Sequence, residues 1–291
     1  MPSDPQKSPS SNKTLPKFLF TKILPITCAA AVESTLTYPH FAAITLLQKK
    51  PSSLQNAYKR IYRNGIYHGH TDFLKFKMIS RISAFSVFQA MMTCDINQSS
   101  PNLFLCGLLS GMVETTVTNS YTAKNRLTVM NLPHTKSSIM SMFYPNLIKN
   151  SITYGTIFNT RSHLGPIIHQ KSNLSIENSY AISTALSVMA IQPITTGLDN
   201  IMTFQLKNSA ETPWLSMKDI SKQSYAQAKK IPLDRFLNLM LLRTVWLGVG
   251  YFIMDRTSTA LIKEANTAYP KLSFFEQEKG ESNNNDNNPE Y

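Results

Sequence analysis

Residues Thr37–Gln48 read TYPHFAAITLLQ, an apolar stretch with Pro39 inside it. A proline in a helix interior removes a backbone donor and clashes one turn back, at a cost of about 3 kcal/mol. The penalty is tolerable in a membrane-spanning helix, where neighbouring helices re-satisfy the freed carbonyl. Pro39 sits late in the run Phe18–Leu47, which is long enough to cross a bilayer. Working outward, five further runs of similar length follow: Phe73–Met92, Leu103–Met130, Asn146–Leu164, Tyr180–Leu206 and Phe236–Ile262. Each carries a few charges or several Ser, Thr and Asn residues. That pattern fits helices with one face on lipid and one on a wet interior. Hydropathy alone favours the membrane only slightly and leaves a soluble helical protein open.

The connecting loops separate the two. Lys49, Lys50, Lys59, Arg60 and Arg63 follow the first run. Lys136 follows the third, whose end holds Lys124 and Arg126, and Lys207, Lys218, Lys222, Lys229 and Lys230 follow the fifth. The loops after the second and fourth runs hold little charge. This alternation is the positive-inside pattern of six spans with both termini on one side. The chain has 29 Lys and Arg against 17 Asp and Glu, a formal net charge of +12. A basic excess points to nucleic acid, an anionic membrane surface or an anionic substrate. Nucleic acid is not expected as a partner, because zinc-finger spacing, a helix-turn-helix pattern and a glycine-rich phosphate loop are all missing. Residues 1–17 form a polar Ser/Pro/Lys-rich tail without a secretory cleavage pattern. Cys28, Cys94 and Cys106 have no metal or redox spacing and read as small buried apolar residues.

Repetition is the next signal. The stretch around Pro39 has a partner in IQPITTGLDNIMTFQ, residues 191–205, with Pro193 in the matching place. Between them TNSYTAKNRL puts Asn119 where proline stands in the other two, at intervals of 80 and 74 residues. The even runs also echo one another, each with a base near its start and Phe near its end. Three units of helix, basic loop and helix imply threefold pseudo-symmetry.

This layout resembles the mitochondrial carrier family over about residues 18–262. The family repeats Pro-x-acid-x-x-base-x-base-x-Gln on its odd helices, with an aromatic-basic-Gly before each even one. Pro39 and Gln48 keep the ends of the first copy, Lys124 and Arg126 the bases of the second, and Pro193 the start of the third. Tyr67-His68-Gly69 matches the aromatic-basic-Gly with His as the base, and Gly107-x-x-x-Gly111 suits close helix packing. The resemblance implies an all-α membrane protein of six transmembrane helices in three repeats: residues 18–98, 99–173 and 174–270. It further implies that proline kinks the odd helices so that they converge to close a cavity, with Pro39, Asn119 and Pro193 at the kink positions. The departures are extensive. The gate acids are replaced by Phe41, Tyr121 and Thr195, and the gate bases by Ile44 and Leu198, leaving Lys124 alone. The outer gate, an aromatic-acid-x-x-base motif on the even helices, is eroded likewise: Gln89 and Met92 stand at its acid and base positions in one copy, Asp255 and Ser258 in another, and RSHLG, residues 161–165, does not align with it. The expectation is a divergent carrier with weakened closed states.

Charges inside spanning helices face a cavity or a partner. Lys77 and Arg81, four apart, share one helix face. Aligned on the family, Phe76, Lys149 with Asn150, and Arg243 fall at its three substrate contact points. Phe76 is then placed to stack on a base, and Arg243 to bind phosphate. The implied substrate is a nucleotide, ATP or ADP, or another phosphate-bearing anion, although the stretch matching the ADP/ATP exchanger signature is LDNIMT, which lacks its arginines. Asp199 has two readings, a partner for a cavity base or a cap for a kink. His68 and His70 read as surface residues, and a metal is not expected. Neither is a catalytic group, because no nucleophile-base-orienter set is visible. The expected setting is a monomer in the lipid bilayer of the mitochondrial inner membrane, with no cofactor beyond a bound lipid such as cardiolipin. Residues 271–291 are Asn-rich and acidic and are expected to be disordered. Their Glu-rich block resembles the type IV secretion signal of Legionella effectors. The competing expectation is a carrier-fold membrane effector that transports nothing and docks to or disrupts host mitochondria.

Overall fold

The computed structural model of the chain describes residues 17–50, 53–93 and 99–282, and the side chains of these except 85, 88–93 and 270–282. It is all-helical among the described residues. A π-helical turn, Leu19–Ile23, leads into α1 (Leu24–Lys49). There follow α2 (Leu54–Asn64), α3 (His70–Thr93), α4 (Ser100–Met130), α5 (Lys136–Ser141) and α6 (Phe143–Lys171). The chain continues through α7 (Ile176–Ala190), α8 (Gln192–Glu211), α9 (Met217–Lys229) and α10 (Leu233–Ser282). Side-chain caps start several of them. Ser53, Ser175 and Ser216 each accept from the backbone N–H three residues on, and Thr135 with Ser138 forms a reciprocal capping box.

The long helices close a ring. α1 packs on α3, α3 on α4, α4 on α6, α6 on α7, α7 on α10, and α10 back on α1. The short helices α2, α5 and α9 lie in the loops after α1, α4 and α8, where the basic loops were read. Gly69, with φ of +84°, turns the chain into α3. A Cβ there would stand 2.9 Å from the hydroxyl of Tyr38, which itself donates to the His68 carbonyl. This contact gives Tyr67-His68-Gly69 a local structural reason.

The packing is inverted relative to a water-soluble bundle. On α4 the exposed face carries Phe104, Leu105, Leu109, Met112, Val113 and Val117. The buried face carries Ser110, Glu114, Thr115, Thr118, Asn119 and Thr122. On α10, Leu233, Leu237, Leu241, Val245 and Val249 form an exposed stripe at four-residue spacing, while Arg243 and Asp255 point inward. Apolar out and polar in is the arrangement for lipid outside and a polar interior within. By length and apolar composition two helices qualify as membrane spans, Leu19–Lys49 and Leu233–Tyr269, and the bent pair α7–α8 counts as a third. The other long helices fall short by that measure. Their inward faces carry Lys77 and Arg81 on α3, Glu114 and Arg126 on α4, and Lys149 and Asn150 on α6.

The proline expectation divides. α7 and α8 meet at Ile191 with a bend of 58°, and Pro193 stands in the first turn of α8. Gln192 Nε2 donates to the Val188 carbonyl at this break, 3.1 Å away. In contrast, α1 is assigned as one helix through Pro39, and α4 as one helix through Asn119. α10 runs on to Ser282, so residues 271–282 have helical backbone where disorder was expected. A helix already nucleated extends cheaply into residues such as Leu, Glu, Gln and Lys, which are good helix formers. Residues 283–291 lie outside the described residues. Cys28 faces outward rather than inward, Cys106 is buried, and Cys94 lies outside the described residues.

The α4–α6 seam is backbone on backbone. A Cβ on Gly107 would stand 2.4 Å from Gly155, and one on Gly111 would stand 2.5 Å from the backbone of Asn150 and Ser151. Gly111→Leu is therefore expected to force the helices apart and lower the thermal midpoint in detergent by about 5–10 °C. Gly197, whose Cβ would meet nothing within 4 Å, is the control: Gly197→Ala leaves the midpoint unchanged or raises it. Equal effects at the two positions would contradict the close approach.

Candidate functional site

Inside the ring lies a hollow of about 120 Å³. Its wall is charged: Lys77, Arg81, Arg126, Lys149 and Arg243 against Glu33, Glu114 and Asp199, a formal excess of two positive charges. The residues come from α1, α3, α4, α6, α8 and α10. Each helix turns a polar or charged face inward because its opposite face is apolar.

Asp199 is the hub. It is 1% exposed, and its Oδ1 accepts from Arg126 Nη2 at 2.6 Å and from Lys149 Nζ at 3.5 Å. Its Oδ2 accepts from Arg243 Nη1. Three cations from three different helices therefore meet on one carboxylate. Gln48, at the end of α1, ties a fourth helix to the same point. Its Nε2 donates to Asp199 Oδ2 at 3.2 Å and to Asn200 Oδ1 at 3.0 Å, and its Oε1 accepts from Thr203 at 3.2 Å. Of the two readings of Asp199, a partner for cavity bases is the one observed.

A second acid organises the opposite wall. Glu33 on α1 accepts from Lys77 Nζ at 2.6 Å and from Arg81 Nη2 at 3.4 Å. Arg81 also donates to the Tyr154 hydroxyl at 3.1 Å and lies 4.4 Å from the centroid of the Tyr251 ring. Arg81, Tyr154 and Tyr251 line a second hollow of about 440 Å³ as well as the first, so they form a partition between the two. The second hollow reaches Arg161 and Asp255, which pair at 2.6 Å between α6 and α10.

The sequence-derived residues distribute as follows. Phe76, Lys77, Arg81, Lys149, Asn150 and Arg243 all line the first hollow. Asn150 is turned toward α4, donating to Thr115 at 2.9 Å. Lys77, Arg81, Lys149 and Arg243 are not free cations: each is paired with Glu33 or Asp199. Among the gate candidates, Lys124 is exposed and away from the hollow. Arg126, two positions on, takes the inward place, because residues two apart on a helix stand about 200° round from each other and cannot both face in. Asn119 does not line the hollow. It donates to the Ile139 carbonyl at 3.0 Å and accepts from Asn146 at 3.3 Å, anchoring α5 and α6. Pro39 and Pro193 are structural and touch no cavity described here. The Gln89 side chain lies outside the described residues. Asp255 stands paired with Arg161 at 2.6 Å. Sequence reasoning missed Glu33 and Glu114. Acids within apolar runs were the available signal, since a charge in a span requires a partner.

No model of a known protein family matches the chain, and no curated protein is similar enough to count as a relative.

Proposed function

We propose that this chain is a membrane carrier of six helices in three repeats that moves an anionic metabolite, foremost a nucleotide such as ATP or ADP, by alternating access. The observation that carries the reading is the meeting of Arg126, Lys149 and Arg243 on a single carboxylate at the wall of one hollow. A phosphate group offers the same cations more oxygens and more charge than Asp199 does, and guanidinium suits phosphate geometry. Phe76 on the wall supplies an aromatic face for a base. At about 120 Å³ the hollow is smaller than the roughly 300–1,000 Å³ of ordinary ligand sites, so it has to widen to take a nucleotide. An anion that binds best to an opened or occluded form shifts the population toward it. The setting that fits the resemblance is a monomer in the mitochondrial inner membrane, with cardiolipin among its lipids and with delivery by a type IV system from a bacterium.

The test is uptake of a panel of labelled anions by liposomes holding the purified full chain: ATP, ADP, AMP, inorganic phosphate and dicarboxylates. Saturable ATP or ADP uptake, competed by the unlabelled nucleotide and absent from protein-free liposomes, is the expected result. No specific uptake of any anion would sink the reading and favour a membrane effector that transports nothing.

A further inference from the structure

Glu114 is the charged wall residue that the anion site leaves unused. Its side chain is 3% exposed on α4. Oε1 accepts from Ser80 Oγ at 2.6 Å, while Oε2 has no hydrogen-bond donor. The cations around it are committed elsewhere, Lys77 and Arg81 to Glu33 and Lys149 to Asp199. No ion pair involves Glu114 among the described residues. A carboxylate in this position is costly to keep charged inside a bundle unless it has a cation of its own. The groups that face the same space are Lys77 and Arg81 on α3, Glu33 on α1, Lys149 and Tyr154 on α6, Asp199 on α8 and Tyr251 on α10.

We propose that Glu114 is a proton-carrying site and that the anion crosses together with a proton bound there. The inference rests on the transport reading above. Arg81, Lys149 and Lys77 are cations close enough to help hold a charged Glu114. An anion that draws them toward its own phosphates withdraws that help and favours the proton on Glu114. Anion and proton binding are then linked positively, and by reciprocity the proton strengthens anion binding. Protonation also raises the formal excess of the wall from two positive charges to three, closer to the charge of a nucleoside triphosphate. The proton comes from water on the loading side, sits on Oε2, and leaves to water on the other side with the anion. No bond other than that O–H is made or broken.

The experiment uses the full chain in liposomes that contain no nucleotide, so any ATP uptake is net, with the membrane potential clamped at zero. Both sides are kept above pH 7.5, where the terminal phosphate is almost fully ionised because its last pKa is about 6. With one proton per anion, making the interior one pH unit more alkaline raises the equilibrium accumulation of labelled ATP about tenfold. Glu114→Gln is expected to remove that shift whatever its rate, and Glu114→Asp to retain it. The wild-type response alone decides whether a proton is coupled, so a Glu114→Gln chain that fails to reconstitute does not stall the test. Accumulation indifferent to the gradient, a full shift in Glu114→Gln, or uptake only in exchange for internal nucleotide overturns the proposal while leaving transport standing. No uptake of any anion overturns both.

Discussion

Liposomes carrying Arg243→Ala are expected to take up labelled ATP about ten to a hundred times more slowly than those carrying the unaltered chain. The estimate follows from losing one charge-assisted hydrogen bond to phosphate, about 1.5–3 kcal/mol. Arg243 comes from α10, lines the hollow and pairs with Asp199. Its loss leaves Asp199 with Arg126 and Lys149, so the hub keeps a counter-charge and the chain still inserts. Arg243→Lys keeps the charge but loses the planar fork, and intermediate uptake is expected. Carbonate-resistant membrane association checks that each variant is inserted. Undiminished uptake by Arg243→Ala would remove its phosphate role.

Asp199→Asn should have the largest effect on stability. It leaves Arg126, Lys149 and Arg243 together without their shared counter-charge. Breaking a buried pair by removing one partner costs about 3–5 kcal/mol. The variant should therefore unfold in detergent well below the unaltered chain. ATP should then raise its midpoint more than it raises that of the unaltered chain, because its phosphates fill the place Asp199 held and displace nothing. Ligand present at a hundred times its dissociation constant contributes about 2.7 kcal/mol, enough to recover much of the loss. If ATP stabilises the unaltered chain more than the variant, Asp199 is not standing where the anion goes.

The helices were legible because their signal is long and redundant. Long apolar runs, bases gathered in alternate loops and punctuating Pro and Gly all marked the same segments. The convergence of Lys77, Lys149 and Arg243 on one hollow was legible for a physical reason too, since a base within an apolar run has few places to point. How those bases are neutralised was legible only in part: pairing with a cavity base was one of two readings of Asp199, and Glu33 was not read at all. The family's acids stand at fixed offsets from Pro39, Asn119 and Pro193, where this chain has Phe41, Tyr121 and Thr195. The acids that do the pairing, Glu33 and Asp199, stand at other offsets, and which of two nearby side chains faces inward depends on helix rotation. Lys124 was misplaced for the same reason, in favour of Arg126. The bend was half legible. Proline marks where a helix can bend, and of the two segments with Pro39 and Pro193 it is the second whose helix is interrupted, while the first stays one continuous helix.

The glycine seam between α4 and α6 has a mechanical consequence. Two helices in main-chain contact at two points one turn apart, Gly107 and Gly111, have no side-chain cushion there to slide on, so they are expected to turn as a single beam. Widening the interior then falls to the remaining staves, and first to the one already jointed at Ile191. A carrier built this way is expected to swing open from one side, like a door on a fixed post, rather than to dilate evenly about its axis.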